Sequence, residues 1–264
     1  MDGFLPEAFV ALIIAVALVL RLMFGRRAPR PQFALPARWR ETLRAQLPHY
    51  PLLGPELRVR FELCVEQFLR EKHFIGCRGF AVSDEARTLI AGMACLLVLR
   101  PQAGVYPQLR SVLVYADSFL VPQTEPDELG LVDDEPVEQV GESWSEERVI
   151  LSWQDVEMAL AGDEVNVVAH EFAHQLDDET PAMEGAPALQ DYERWSAVMQ
   201  KEFERLRRHR RPPVLDPYGA ESPAEFFAVT TEAYFQRGAA LKKHHAELYE
   251  LLRGYYLLDT AALT

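Results

Sequence analysis

The stretch His170-Glu171-Phe172-Ala173-His174 constrains this chain more than any other feature, because its two histidines can act together only on a helix. Residues four apart project from one side of a helix, one turn above the other, so both imidazoles reach a single ion. Glu171 then lies near that ion without binding it, where a general base must sit to deprotonate a zinc-bound water. The arrangement reads as that of a zinc peptidase. The flanking residues agree with a helix: Val165, Val168, Ala169, Phe172 and Leu176 recur at helical spacing and define one buried face, with His170, Glu171, His174 and Asp177 on the other side. Asp163 is the expected N-cap.

A catalytic zinc takes three protein ligands and keeps one position open. The third must come from elsewhere, and the stretch Tyr218 to Ala228 is the best source. Glu221, Glu225 and Glu232 are the carboxylates in reach, and spacing alone does not choose between them. Glu225 has a second reading as well: Ser222 as N-cap, Pro223 at the first helical position and Glu225 at the third form a capping box. Asp177 is a candidate to orient a ligand or a nearby loop, with a helix-end salt bridge as the simpler role.

The remaining composition narrows the class. Three cysteines, Cys64, Cys77 and Cys95, have no CxxC spacing and are too scattered for a disulfide framework or a cysteine zinc site. A net charge of -13 argues against direct nucleic-acid binding. Much of it lies in an acidic, Pro-containing loop over 117–147, read as solvated. Arg205, Arg207, Arg208, Arg210 and Arg211 close a helical stretch, where positive charge suits the macrodipole.

The N-terminus is of a different kind. Every residue from Ala8 to Leu20 is apolar, Asp2 and Glu7 precede the run, and Arg21, Arg26, Arg27 and Arg30 follow it. This order is opposite to that of a cleaved signal peptide. It predicts a single short transmembrane helix over residues 1–25, a lipid-bilayer anchor in the inner (cytoplasmic) membrane, with the following domain on the cytoplasmic side. A linker is expected over 26–50, opened by the Pro- and Arg-rich run Arg26 to Pro36, and a folded domain over 51–264. Helical patterns run from Pro55 to Glu71, Asp84 to Leu99, Tyr192 to Arg211, Ser222 to Phe235, and through His244 to Tyr256. Ser111–Tyr115 and Arg148–Ser152 read as strands, with a helix starting at Trp153. The expectation is a helix-rich α+β domain with a small sheet.

The HExxH stretch continues as Gln175-Leu176-Asp177 and is joined by Asp216-Pro217-Tyr218 and Ser222-Pro223-Ala224-Glu225-Phe226-Phe227-Ala228-Val229. In this combination the chain resembles the Mlc titration factor A family of zinc-dependent peptidases, over roughly Pro51 to the C-terminus. The resemblance implies a zincin-like fold, similar to the catalytic domain of anthrax lethal factor, and a bound Zn2+. It implies His170, His174 and Glu225 as metal ligands, Glu171 as general base, and Tyr218 as the group that stabilises the oxyanion. Peptide or protein substrates follow, cut either from an N-terminus, as by an aminopeptidase, or internally. A function of another class is also implied: a non-catalytic membrane tether that binds and sequesters a transcriptional regulator such as an Mlc-like repressor.

Overall fold

Short apolar runs become the sheet. A computed structural model describes residues 35–262 apart from 102, 118–146, 180–183, 190 and 209–212. Three strands, β1 (His73–Gly76), β2 (Ser111–Tyr115) and β3 (Arg148–Ser152), form a parallel sheet in the order β1-β2-β3. Val112 stands opposite Phe74 on one side and Val149 on the other. Val112, Leu113 and Val114 are all buried, as a strand covered on both faces requires. The sequence analysis expected β2 and β3. It missed β1, an edge strand whose four residues have no buried side chain and hence no pattern to detect.

Nine α-helices are described. In chain order they are α1 (Ala37–Gln46), α2 (Pro55–Glu71), α3 (Asp84–Leu96), α4 (Trp153–Leu160), α5 (Val167–Asp177), α6 (Tyr192–Arg208), α7 (Pro223–Gln236), α8 (Gly238–His244) and α9 (Ala246–Tyr256). The parallel pair β1 and β2 needs a crossover, and α3 supplies it. The C-terminal stretch expected as one helix is two. They divide at His245, whose Nδ1 lies 2.7 Å from the Glu202 carboxylate of α6 in a buried pair.

The domain begins earlier than expected. Residues 35–50 were assigned to the linker, but 37–46 form α1, and Leu35, Leu43, Leu47 and Tyr50 are buried. Leu43 enters a notch on α3 that exists because residue 92 is glycine: a Cβ there would stand 2.4 Å from the Leu43 side chain. Arg40 Nε and Nη2 donate to both oxygens of Glu62 at 3.0 and 2.9 Å, joining α1 to α2. Eight of the ten α1 residues are polar or alanine in a run that opens on Pro36, so its narrow Trp39–Leu43 stripe is easily taken for linker. The anchor expected over 1–25 and the linker up to residue 34 lie outside the described residues, as does most of the acidic loop. Among the described residues, no helix is long and apolar enough to cross a membrane.

α5 is held to this core by its inner face. Phe172 is fully buried, with its ring 4.7 Å from that of Tyr106 and 5.7 Å from that of Phe68. Val168, Ala169 and Leu176 are buried beside it, whereas Val165, expected on the same face, is 58% exposed in the loop before the helix. With one side locked in the core, the opposite side of α5 presents a fixed row of polar groups to α7, which packs along it.

His49 sits at the end of this core, where its Nε2–H donates to the Phe235 carbonyl at 2.9 Å. Burial lowers its pKa to about 4 from an ordinary 6.5, against the opposing pull of that hydrogen bond. Between these values the unfolded chain takes up a proton that the folded chain refuses. The contribution is therefore whole above pH 6.5 and is lost as pH falls toward 4. The loss amounts to about 3 kcal/mol. Urea unfolding at pH 7 and pH 4.5 is expected to show a smaller drop in stability for His49→Gln than for the parent chain. Equal drops in the two proteins would mean that His49 does not govern this acid sensitivity.

Candidate metal centre

α5 starts one turn later than the expected cap. Asn166, not Asp163, caps it, its Oδ1 accepting the Ala169 N–H at 2.9 Å. Asp163 instead accepts the N–H of its neighbour Glu164. From this start His170 and His174 fall on the outer side of the helix, and each turns Nε2 toward the same point, with 3.2 Å between the two nitrogens.

α7 supplies the carboxylate. Ser222 Oγ caps it by accepting the Glu225 N–H at 3.1 Å, and Pro223 occupies the first helical position. The Glu225 side chain lies with the histidines, Oε2 at 3.2 Å from His170 Nε2 and Oε1 at 3.6 Å from His174 Nε2. Ser222 and Glu225 thus supply a backbone cap and a carboxylate from the same helical turn. One ligand atom from each of His170, His174 and Glu225 lies within 4.8 Å of the others. Glu221 is exposed and stands outside this group.

Glu232 follows Glu225 by seven residues and faces α5 as well. Its Oε1 is 2.7 Å from His170 Nδ1, and its Oε2 accepts the Asn166 N–H at 2.9 Å. The bond to Glu232 puts a proton on Nδ1, so a neutral His170 presents a lone pair at Nε2. That lone pair faces a carboxylate oxygen, Glu225 Oε2, which is buried with no hydrogen bond. Acceptors crowded against acceptors in this way are satisfied by a proton or a cation between them. Two imidazoles and one carboxylate are a suitable donor set for a divalent ion, so the residues present fit a metal.

The local charges point the same way. Burial lowers the His170 pKa, but the hydrogen bond and charge of Glu232, with the charges of Glu171 and Glu225, outweigh it and raise the net value. His174 is lowered by burial and by the charge of His170. Glu171 is raised, by burial first, with His170 opposing and the charges of Glu225 and Glu232 adding to the rise.

Tyr218 belongs to a short 3-10 helix, Pro217–Ala220, that Asp216 starts by accepting the Tyr218 N–H at 2.8 Å. Its ring lies 6.2 Å from the His170 ring and is 46% exposed. Burial, the charges of Glu225 and Glu221, and a hydrogen bond with Glu225 raise its pKa, so the phenol keeps its proton. A cleft of about 260 Å³ opens beside it, lined by His170, Tyr218, Glu232, Val165, Val229 and Arg237 among others.

Asp177 makes no contact with the ligands. Its Oδ1 accepts the Ala186 N–H at 2.8 Å, so of the roles considered it ties down a nearby loop. Two features of the site were missed in the sequence. The Glu232–His170 bond joins residues 62 apart, which no local pattern records. Asn166 as cap was legible, since Asn is among the strongest capping residues and Ala169 stands three positions on.

Histidines one turn apart and a carboxylate from a second helix make a candidate metal site, and the family match places the chain among the metallopeptidases. The profile of the glucose-regulated metallo-peptidase M90 family matches residues 23–257, and the chain belongs to that family. A Synechocystis protein described as uncharacterized is 42% identical over 238 residues, 86% of each chain. Mlc titration factor A of Pectobacterium atrosepticum is 29% identical over 223 residues, 80% of this chain and 84% of that protein. Its counterpart in Yersinia pestis is 29% identical over 244 residues, 89% of this chain and 90% of that one. The family expected from the sequence motifs is thereby borne out.

Proposed function

We propose that this chain is a zinc-dependent peptidase with a zincin-like fold, in which His170, His174 and Glu225 hold the ion and Glu171 is the general base. The observation that carries the reading is the convergence of His170 Nε2, His174 Nε2 and a Glu225 oxygen that has no hydrogen bond, with Glu171 next to His170 on the same helix. A zinc ion bound there supplies a Lewis acid that polarises a carbonyl and makes water acidic near neutral pH. Glu171 accepts the proton of the attacking water and returns it to the leaving amine. Tyr218 keeps its proton and donates to the developing oxyanion. Glu232 holds the His170 ring in the tautomer that offers Nε2.

The test compares peptide hydrolysis by chelator-treated protein before and after zinc is restored. Activity lost with the metal and recovered with zinc is expected, and the products tell N-terminal from internal cleavage. Turnover that persists in metal-free protein would refute the reading. We further propose that residues 1–25 hold the peptidase at the inner membrane with its site on the cytoplasmic side, a reading supported by the apolar run Ala8 to Leu20 and the arginines after it.

The name Mlc titration factor A, borne by two of the relatives, favours a second reading as a tether for a repressor protein. A Glu171→Gln protein that still complements loss of the gene would favour that role over proteolysis.

A further inference from the structure

Metal-ligand distances tolerate only about 0.2 Å of error, so two helices that share one ion need their spacing set by something other than the ion. α5 and α7 are joined at one place by Glu232, which links the middle of α7 to His170 and to the Asn166 N–H. The other end, where α5 finishes and α7 begins, carries Glu225 and has a separate attachment. Asp177, in the last turn of α5, accepts the backbone N–H of Ala186 at 2.8 Å, next to Gly185 in the chain. Trp195 of α6 donates its indole N–H to the Gly185 carbonyl at 3.3 Å. Gly185 lies directly against Pro223, the first residue of α7: a Cβ on it would stand 2.6 Å from the Pro223 carbonyl oxygen. Its φ of +76° is also one that other residues adopt at a cost.

We propose that Asp177 and Gly185 are positioning residues that set the distance of Glu225 from the two histidines. The inference rests on the metal-site reading above. Asp177 pins the 185–186 backbone to the histidine helix, and Gly185 meets the turn that carries Glu225 at backbone contact distance. The chain of contacts runs from one ligand helix to the other through side-chain and backbone groups that touch no ligand. A carboxylate accepting a backbone N–H is a directional anchor, and a glycine against a carbonyl is the closest approach a residue allows. A group acting through such contacts changes metal affinity by about 10–100-fold when it is lost.

The experiment measures zinc affinity by competition with a chromophoric chelator and the visible spectrum of cobalt(II)-loaded protein, for the parent chain, Asp177→Ala, Asp177→Asn and Gly185→Ala. Asp177→Ala and Gly185→Ala are expected to weaken zinc binding by about 10–100-fold and to alter the cobalt spectrum, which reports ligand geometry. Asp177→Asn keeps the accepting Oδ1 and is expected to restore both. A purely structural role would lower the melting temperature of metal-free protein and leave the cobalt spectrum of the bound fraction unchanged, which would overturn the proposal. So would parent-like zinc affinity in Asp177→Ala. If Asp177→Ala does not fold, Gly185→Ala decides by the same two measurements. A parent chain that binds no zinc would instead refute the metal-site reading, and this inference with it.

Discussion

Glu171→Gln is expected to retain bound zinc and to lose hydrolysis of a peptide substrate, with kcat down by about 10²–10⁴-fold, the usual worth of a positioned general base. Glutamine has the shape of glutamate and cannot take a proton, so the substitution removes one function and little else. The ligand atoms of His170, His174 and Glu225 are untouched by it. Three features of the site raise the expected effect. Glu171 is half-buried, so bulk water is a poor substitute for it. Its pKa is raised by burial and by the negative charges of Glu225 and Glu232, which brings it closer to neutral pH. It stands one residue from His170 on a helix whose inner face is locked in the core, so its position is fixed. The check is kcat together with zinc stoichiometry on the same preparation. Retained turnover with full zinc would remove Glu171 from the mechanism.

The second large effect is on the metal itself. Glu225→Ala and His170→Ala are both expected to weaken zinc by more than the roughly 10–100-fold that a supporting residue commands, because each removes a direct donor. They should differ in stability when metal is absent. Glu225 leaves an oxygen buried without a hydrogen bond and adds negative charge beside Glu171, so its removal relieves a cost and should hold or raise the melting temperature of the metal-free protein. His170 is bonded to Glu232 at 2.7 Å, and its removal strands that half-buried carboxylate on the Asn166 N–H alone. Its metal-free melting temperature should fall. Calorimetry of both variants after chelation checks the contrast, and a similar shift in the two would mean that Glu225 is not strained by its neighbours.

The sequence analysis succeeded where chemistry is local. Pro55–Glu71, Ser111–Tyr115 and Arg148–Ser152 are the observed limits of α2, β2 and β3, because α2 has a helical apolar stripe and the two strands are short runs of strand formers. The turn from Ser222 to Glu225 was equally legible, since the cap, the proline and the glutamate announce a helix start wherever they occur. The choice of Glu225 over Glu232 was not. Both face α5, and only their distances along it separate the carboxylate at the Nε2 side from the one at Nδ1. Asp163 was expected as cap because Val165 was counted in the helix, and the 58% exposure of Val165 shows that the apolar face begins later. α1 escaped for a related reason: its one fully buried side chain, Leu43, sits in a notch made by Gly92, which no pattern local to α1 records.

That notch has a practical consequence. A protein shortened to residue 51, where sequence patterning placed the domain boundary, would lose Leu43 and Leu47 and bare the apolar seat they fill beside Phe61 and Gly92. Such a fragment would carry every group of the metal centre and still be prone to clump, its inactivity reflecting a missing plug and not faulty chemistry. A fragment that keeps this seat filled and Leu35 in its buried place starts no later than Leu35.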